Sequence, residues 1–350
     1  MTLSEKNGIV LCAYNGGVIN LNTDTVKKYL SIVGESQQTG FIRNFCENNH
    51  ELQEYQNTLF RWSDSGGNSN YTVCFADNCS FADPYTITSN KDTLKNEVGI
   101  FVPGKTYYWF VRGNDTGECS MIDSFTVEDT PVRFITAGKV INMRDEGGYT
   151  TSDGGKVKYG LVYRGGSLDE DVSYIDDTAR DVFRYLKMKS EIELRGESEH
   201  PATGWDENNL NVYWIKSAAY ESIFDIESDV RMQYKAAFEG LTDENNYPFY
   251  FHCLGGADRS GAFGYLLNGL LGVSYIDLRK DYELTSFSVT NLRPADSFNG
   301  TSFDAMHRMM IERYGKESGN LQDSIRSFLT DFIGVSDESI EKIKRIMIAY

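Results

Sequence analysis

Cys253 and Arg259 stand six positions apart in the run Tyr250-Phe251-His252-Cys253-Leu254-Gly255-Gly256-Ala257-Asp258-Arg259-Ser260-Gly261. A free thiol ionises near pH ~8.5, so it is a good nucleophile at neutral pH only where positive charge or oriented N–H groups surround it. A guanidinium offers a planar fork that grips two oxygens of a phosphoryl group. The pair therefore describes attack of sulfur on a bound phosphoryl group. A buried structural cysteine beside a surface arginine has the same bare spacing, so the flanking elements decide. Phe249 to Phe251 is an apolar run of the buried-strand kind, a Gly-containing loop follows, and Ala262-Phe263-Gly264-Tyr265-Leu266-Leu267 opens an apolar helical pattern. Strand, tight loop and helix N-terminus aim N–H groups and the positive end of the helix dipole at one point, which makes an anion site.

The spacing His-Cys, five residues, Arg, Ser resembles the signature of cysteine-dependent phosphatases of the protein-tyrosine-phosphatase superfamily. Two upstream motifs precede it in order: Asn142-Met143-Arg144-Asp145-Glu146-Gly147-Gly148 and Tyr163-Arg164-Gly165-Gly166-Ser167-Leu168. The three together resemble the bacterial tyrosine/serine phosphatase family, whose loop ordinarily reads His-Cys-Thr-Ala-Gly-Lys-Asp-Arg-Thr-Gly, over residues 135–350. Other elements agree. Helical spacing runs from Asp176 to Leu186 and from Asp229 to Leu241, and Ser190 to Arg195 is a short strand ending in an arginine. Gly272-Val273-Ser274 restarts a helix through Tyr282, and apolar spacing returns near 303–314, 321–333 and 337–348. Strands alternating with helices predict an α/β domain over 131–350, a mainly parallel sheet flanked by helices with the site at a strand's carboxyl end.

The resemblance implies a cysteinyl-phosphate mechanism that uses no cofactor. Cys253 is the expected nucleophile. The N–H groups of Leu254, Gly255, Gly256, Ala257 and on to Arg259 would hold the equatorial oxygens, and Arg259 would clamp two of them. Gly255 and Gly256 let the backbone approach without a Cβ in the way. Ser260 is expected to donate a hydrogen bond to the sulfur, and His252 to orient the loop through backbone hydrogen bonds. The leaving oxygen needs a proton from a carboxylic acid. The resemblance puts that acid at Asp258, just before the loop arginine; Asp206 after Trp205 is the alternative, weakened by Glu207 and the missing proline. Arg144, Asp145, Arg164 and Arg195 belong to the upstream motifs and either orient the loop, touch substrate or form a buried ion-pair network. One departure stands out: Ala257 occupies the place where the family carries lysine, which makes the pocket mouth less suited to polyanions.

These residues point to a protein-tyrosine phosphatase acting on a phosphorylated protein or a small phosphomonoester. A phosphoinositide or inositol-phosphate phosphatase and a catalytically weak phosphate-binding adaptor are the alternatives. A net charge of −17 argues against nucleic-acid or anionic-membrane partners. With four histidines, six scattered cysteines and no Cys/His cluster, neither a metal centre nor a disulfide scaffold is expected. No apolar run approaches the roughly 18 residues of a membrane span. Met1 to Asn7 lacks the basic and apolar regions of a signal peptide, which leaves the compartment open.

At 350 residues two domains are expected. Over 58–130, short β runs alternate with polar turns: Leu59–Trp62, Tyr71–Phe75, Gly104–Arg112 and Ser124–Val127. Tyr107, Trp109 and Val111 alternate inward, as in a smaller β-sandwich, so the aromatics read as core. The Trp62 strand, the Pro-Gly-Lys-Thr-Tyr-Tyr-Trp run and the closing Ser-Phe-Thr-Val strand resemble a fibronectin type III module, which implies a site for a protein partner. Residues 1–57 fit neither part. Thr23 or Asp24 caps a short helix carrying Val26, Tyr29, Leu30 and Val33, and a polar stretch follows through Gln56.

Overall fold

Alternating apolar positions build the first part of the chain as two sheets. The computed structural model describes residues 8–48, 58–96, 100–196, 210–288, 292–297, 301–315 and 319–350. They form two units, Met1–Thr23 with Tyr55–Arg133 and Asp24–Glu54 with Phe134–Tyr350. In the first unit, Thr58–Asp64 pairs antiparallel with Ile9–Leu11 and Thr93–Asn96. A five-stranded sheet runs in the order Val18–Ile19, Asp123–Val127, Thr106–Gly113, Tyr71–Ala76, Tyr85–Ser89. Phe60 of the smaller sheet meets Phe75, Trp109 and Phe125 of the larger, ring centroids 4.8, 5.0 and 5.5 Å apart. Tyr107, Trp109 and Val111 are buried as their alternation requires. The strands that sequence reading did not find, 9–11, 18–19, 85–89 and 93–96, are short, polar or at sheet edges.

The sheet of the second unit runs Asn211–Trp214, Ser190–Glu193, Phe249–His252, Val162–Gly165, Arg144–Asp145 and Arg133–Phe134, the last being where the chain enters this unit. The first four strands pair in parallel, and Arg144–Asp145 lies antiparallel to Val162–Gly165. The sheet is therefore mixed, parallel at its centre with an antiparallel flank. Gly165, His252 and Glu193 stand at one level, so three parallel strands release their chains at the same rim.

Helices α1 (Asp24–Leu30) and α2 (Glu35–Asn48) come from the stretch that sequence reading left without a place. They pack with the second unit: Tyr29 and Phe45 both lie against Phe287, at 5.5 and 4.8 Å. The polar reading of 35–48 missed α2 because Gln38 and Thr39 are buried beside Ile42, Phe45 and Cys46, so polar residues occupy part of its inner face. Helices α3 (Asp177–Tyr185), α4 (Ser228–Gly240), α5 (Asp258–Leu270), α6 (Tyr275–Leu284), α7 (Phe303–Tyr314), α8 (Leu321–Ser327) and α9 (Asp337–Met347) follow where the apolar spacing puts them. Side chains of Asp176, Ser274, Ser302 and Ser336 cap α3, α6, α7 and α9. Every residue of α5 from Ser260 to Leu270 is buried, as expected of a helix apolar on all sides. Its Phe263 packs on Phe251 at 5.0 Å, and Ile325 of α8 leaves no room for a Cβ at Gly269. Among the described residues no helix is long and apolar enough to cross a membrane.

Candidate active site

Between the strand Phe249–His252 and α5, residues 253 to 257 form a tight loop whose carbonyls are all held from outside. Ser167 N–H donates to the Leu254 carbonyl at 3.0 Å. Asn142 Nδ2 donates to the carbonyls of Gly255 and Gly256 at 3.1 and 3.0 Å. Arg164 Nη2 donates to the carbonyls of Gly256 and Ala257 at 3.0 and 3.3 Å. In a trans peptide the N–H of the next residue points opposite to the carbonyl, so the N–H groups of 255 to 258 turn inward. None of the N–H groups of 254 to 257 meets an acceptor among the described residues, and no side chain caps α5. Converging donors at a helix N-terminus are suited to an anion. Gly256 makes the turn possible: its φ is +66°, and a Cβ there would stand 2.3 Å from the backbone of Gly165. Cys253 is buried at the start of the loop, Leu254 is exposed, and Arg259 sits half-buried with Nη1 3.5 Å from the Leu194 carbonyl.

Asn142 and Arg164 are fixed in turn by a buried network. Arg144 Nε donates to Asp281 Oδ1 at 2.8 Å and its Nη1 to Asn142 Oδ1 at 2.7 Å. Arg164 Nη1 donates to Asp281 Oδ2 at 2.5 Å, and its Nε lies 3.6 Å from Glu146. Burial alone would raise the Asp281 carboxyl, but Arg144 and Arg164 outweigh it and hold the group below its ordinary range. Glu146 goes the other way: burial and the charge of Asp281 hold it well above the carboxylate range, and it accepts from Asn268 Nδ2 at 2.8 Å. Arg144 and Arg164 are thus buried ion-pair residues that orient the loop. Asp145 accepts from the N–H groups of Gly147 and Gly160 at 2.9 and 2.8 Å and so ties two turns together, away from the loop.

His252 differs from expectation. Its Nδ1 is 3.4 Å from the Cys253 carbonyl, but its nearer partner is a carboxylate, Glu191 Oε1 at 3.1 Å from Nε2, with Glu193 Oε2 at 3.7 Å. Burial would lower the imidazole, yet Glu193 and Glu191 prevail and raise it to about 9. Arg195 completes this cluster, donating to Glu193, Asp169 and Glu170 at 2.7, 2.7 and 2.9 Å. Glu191, Glu193 and His252 are also the group among the described residues whose ligand atoms lie close enough to share a metal ion. Arg195 and the imidazolium already balance those carboxylates. Ser260 departs from expectation too: its hydroxyl is buried and makes no hydrogen bond, so the bond to sulfur is not formed here.

Asp258 is the first residue of α5 and half-buried. The Tyr220 hydroxyl donates to its Oδ1, as does Arg293 Nε at 3.1 Å. Asp206, the alternative acid, lies outside the described residues. Sequence reading missed Asn142, Glu146, Asp281, Tyr220 and Arg293 as site residues. Asn142 and Glu146 lay within a quoted motif; the other three arrive from distant elements and carried no local signal.

Residues 135–349, well over half of the chain, match the model of the Tyrosine phosphatase family. Among solved structures, the core catalytic domain of the PP-IP phosphatase Siw14 from S. cerevisiae, in complex with citrate, is similar at 20% identity. That match covers 36% of this chain and 71% of that one, with a TM-score of 0.26. A second structure of the Siw14 catalytic core is similar at 17% identity, covering 45% of this chain and 82% of that one, with a TM-score of 0.28. No curated protein matches the sequence.

Proposed function

The chain belongs to the tyrosine phosphatase family, and on that premise we propose that it is a metal-independent protein-tyrosine phosphatase working through a cysteinyl-phosphate. The observation that carries the reading is the loop at 253–257, with carbonyls held outside and N–H groups free inside. Cys253 sulfur attacks phosphorus; the S–P bond forms as the P–O bond to the leaving group breaks, and Asp258 gives that oxygen a proton. Water then attacks phosphorus, the S–P bond breaks, and Asp258 takes the water's proton back. Arg259 and the loop N–H groups hold the equatorial oxygens through both steps, where the transition-state charge is spread. The buried Ser260 hydroxyl supplies a donor to the sulfur as it leaves.

Electrostatics favour a substrate with one phosphoryl group over an inositol polyphosphate. A polyanion needs further cations at the mouth, but Arg144, Arg164, Arg195 and Arg293 are each held by carboxylates. Ala257 removes the lysine that the loop of the resembling family carries. The retained set of Cys253, Asp258 and Arg259 weighs against a phosphate-binding adaptor. The first unit is read as a fibronectin type III-like module that spaces the enzyme or binds a protein partner, on the strength of its alternating strands and aromatic core.

The test is hydrolysis of p-nitrophenyl phosphate in EDTA by the wild type and Cys253→Ser, beside phosphotyrosine peptide, phosphoserine peptide and inositol phosphates. Turnover should survive chelation, vanish in the variant and be highest on the phosphotyrosine peptide. Retained turnover in Cys253→Ser would refute the mechanism, and a preference for inositol phosphates would refute the substrate assignment.

A further inference from the structure

An acid delivers a proton well only if one of its oxygens is aimed at the leaving group, because misdirected geometry forfeits much of the rate. Both partners of Asp258 bind one atom: Tyr220 and Arg293 each donate to Oδ1. Oδ2 has no hydrogen bond among the described residues.

Tyr220 is itself firmly placed. Its φ is +54°, a region that bulky residues avoid and that persists only where the surroundings over-determine it. Its ring meets Tyr282 edge-on, centroids 6.0 Å apart, and the two hydroxyls lie 2.6 Å apart. Tyr282 is wedged between Phe303, stacked at 4.6 Å, and Gly261, where an added Cβ would stand 2.8 Å from its ring. Burial and the neighbouring Tyr282 and Asp258 push the Tyr220 phenol far upward, so it remains a donor throughout the working pH range.

We propose that Tyr220, assisted by Arg293, is a positioning residue that occupies Oδ1 of Asp258 and turns Oδ2 toward the leaving oxygen. The inference rests on the phosphatase reading above. In the first step the proton leaves Oδ2 for the ester oxygen as that P–O bond breaks and the S–P bond forms. In the second a water proton returns to Oδ2 as the new P–O bond forms and the S–P bond breaks.

Two esters of the full chain's proposed chemistry separate this role from a structural one. p-Nitrophenolate departs readily without a proton, whereas phenolate from phenyl phosphate needs one. For Tyr220→Phe, the single-turnover rate of phenol release from phenyl phosphate should fall about 10- to 100-fold. The same rate on p-nitrophenyl phosphate, read before the water step that both esters share, should stay within about threefold of the wild type. Asp258→Asn should discriminate between the esters in that first step in the same way and lose steady-state turnover on both. Arg293→Gln, altering a residue closer to the surface, should discriminate as well and serves if Tyr220→Phe does not fold. Equal losses of this first-step rate on both esters, or none on either, would overturn the positioning role while leaving the phosphatase reading intact. Turnover that persists in Cys253→Ser would overturn both.

Discussion

At the scale of single residues, the chemistry of this site depends on how neighbouring charges set protonation. His252 stands immediately before Cys253, the proposed nucleophile, yet its ring is turned to Glu191 and Glu193. Its raised pKa is a statement about folding. An imidazole ionises near pH ~6.5 in an unfolded chain, and at about 9 in this fold. The stability it contributes is therefore complete below pH ~6.5 and is lost as pH rises through about 9. Glu146, also raised, tilts stability in the same direction, beginning lower on the pH scale. We expect urea midpoints of the wild type to fall from pH 6 to pH 9.5, and His252→Gln to be flatter across the upper half of that range. Parallel profiles for the two proteins would show that the ion pair stores no such energy.

At the scale of elements, α6 braces the loop through two arginines. Asp281 faces Arg144 and Arg164, which fix the loop carbonyls directly and through Asn142. On the other side of the same helix, Arg279 and Glu283 hold α1 and α2 through Gln38, Thr39 and Tyr29. Removing one partner from a buried charge network leaves the rest uncompensated, at a cost of about 3–5 kcal/mol. Asp281→Asn should lose stability of that order in urea denaturation. Its turnover should fall as well, because the loop carbonyls are no longer fixed. A variant as stable as the wild type would mean that Glu146 ionises and takes over the role of Asp281.

At the scale of the whole molecule, the chain order and the units interleave. Asp24–Glu54 lies in sequence inside the first unit but packs with the second. A chain starting at Phe134 would keep every residue proposed for catalysis and still lose the α1 and α2 partners of Glu283, Arg279 and Phe287. Leaving buried charged groups short of hydrogen bonds and an aromatic face bare, it should unfold at a lower urea concentration than the full chain, or accumulate as aggregate. Equal midpoints would show that α1 and α2 only decorate the catalytic unit.

How much of this was legible before folding follows from the range of each interaction. The sequence by itself determined the local features: the strand–loop–helix around Cys253, the glycines 255 and 256 that let its backbone approach closely, the helical runs from Asp176 and after Ser274, and the inward alternation of Tyr107, Trp109 and Val111. Each rests on contacts between near neighbours in the chain, so residue type and spacing carry it. Only the tertiary structure decided that His252 pairs with Glu191, that Asp281 neutralises two arginines more than a hundred positions upstream, that Tyr220 and Arg293 meet on one oxygen of Asp258, and that α2 joins the catalytic unit. A buried charge is stable only beside the partner that compensates it, and which distant residue arrives as that partner is set by the packing of whole elements.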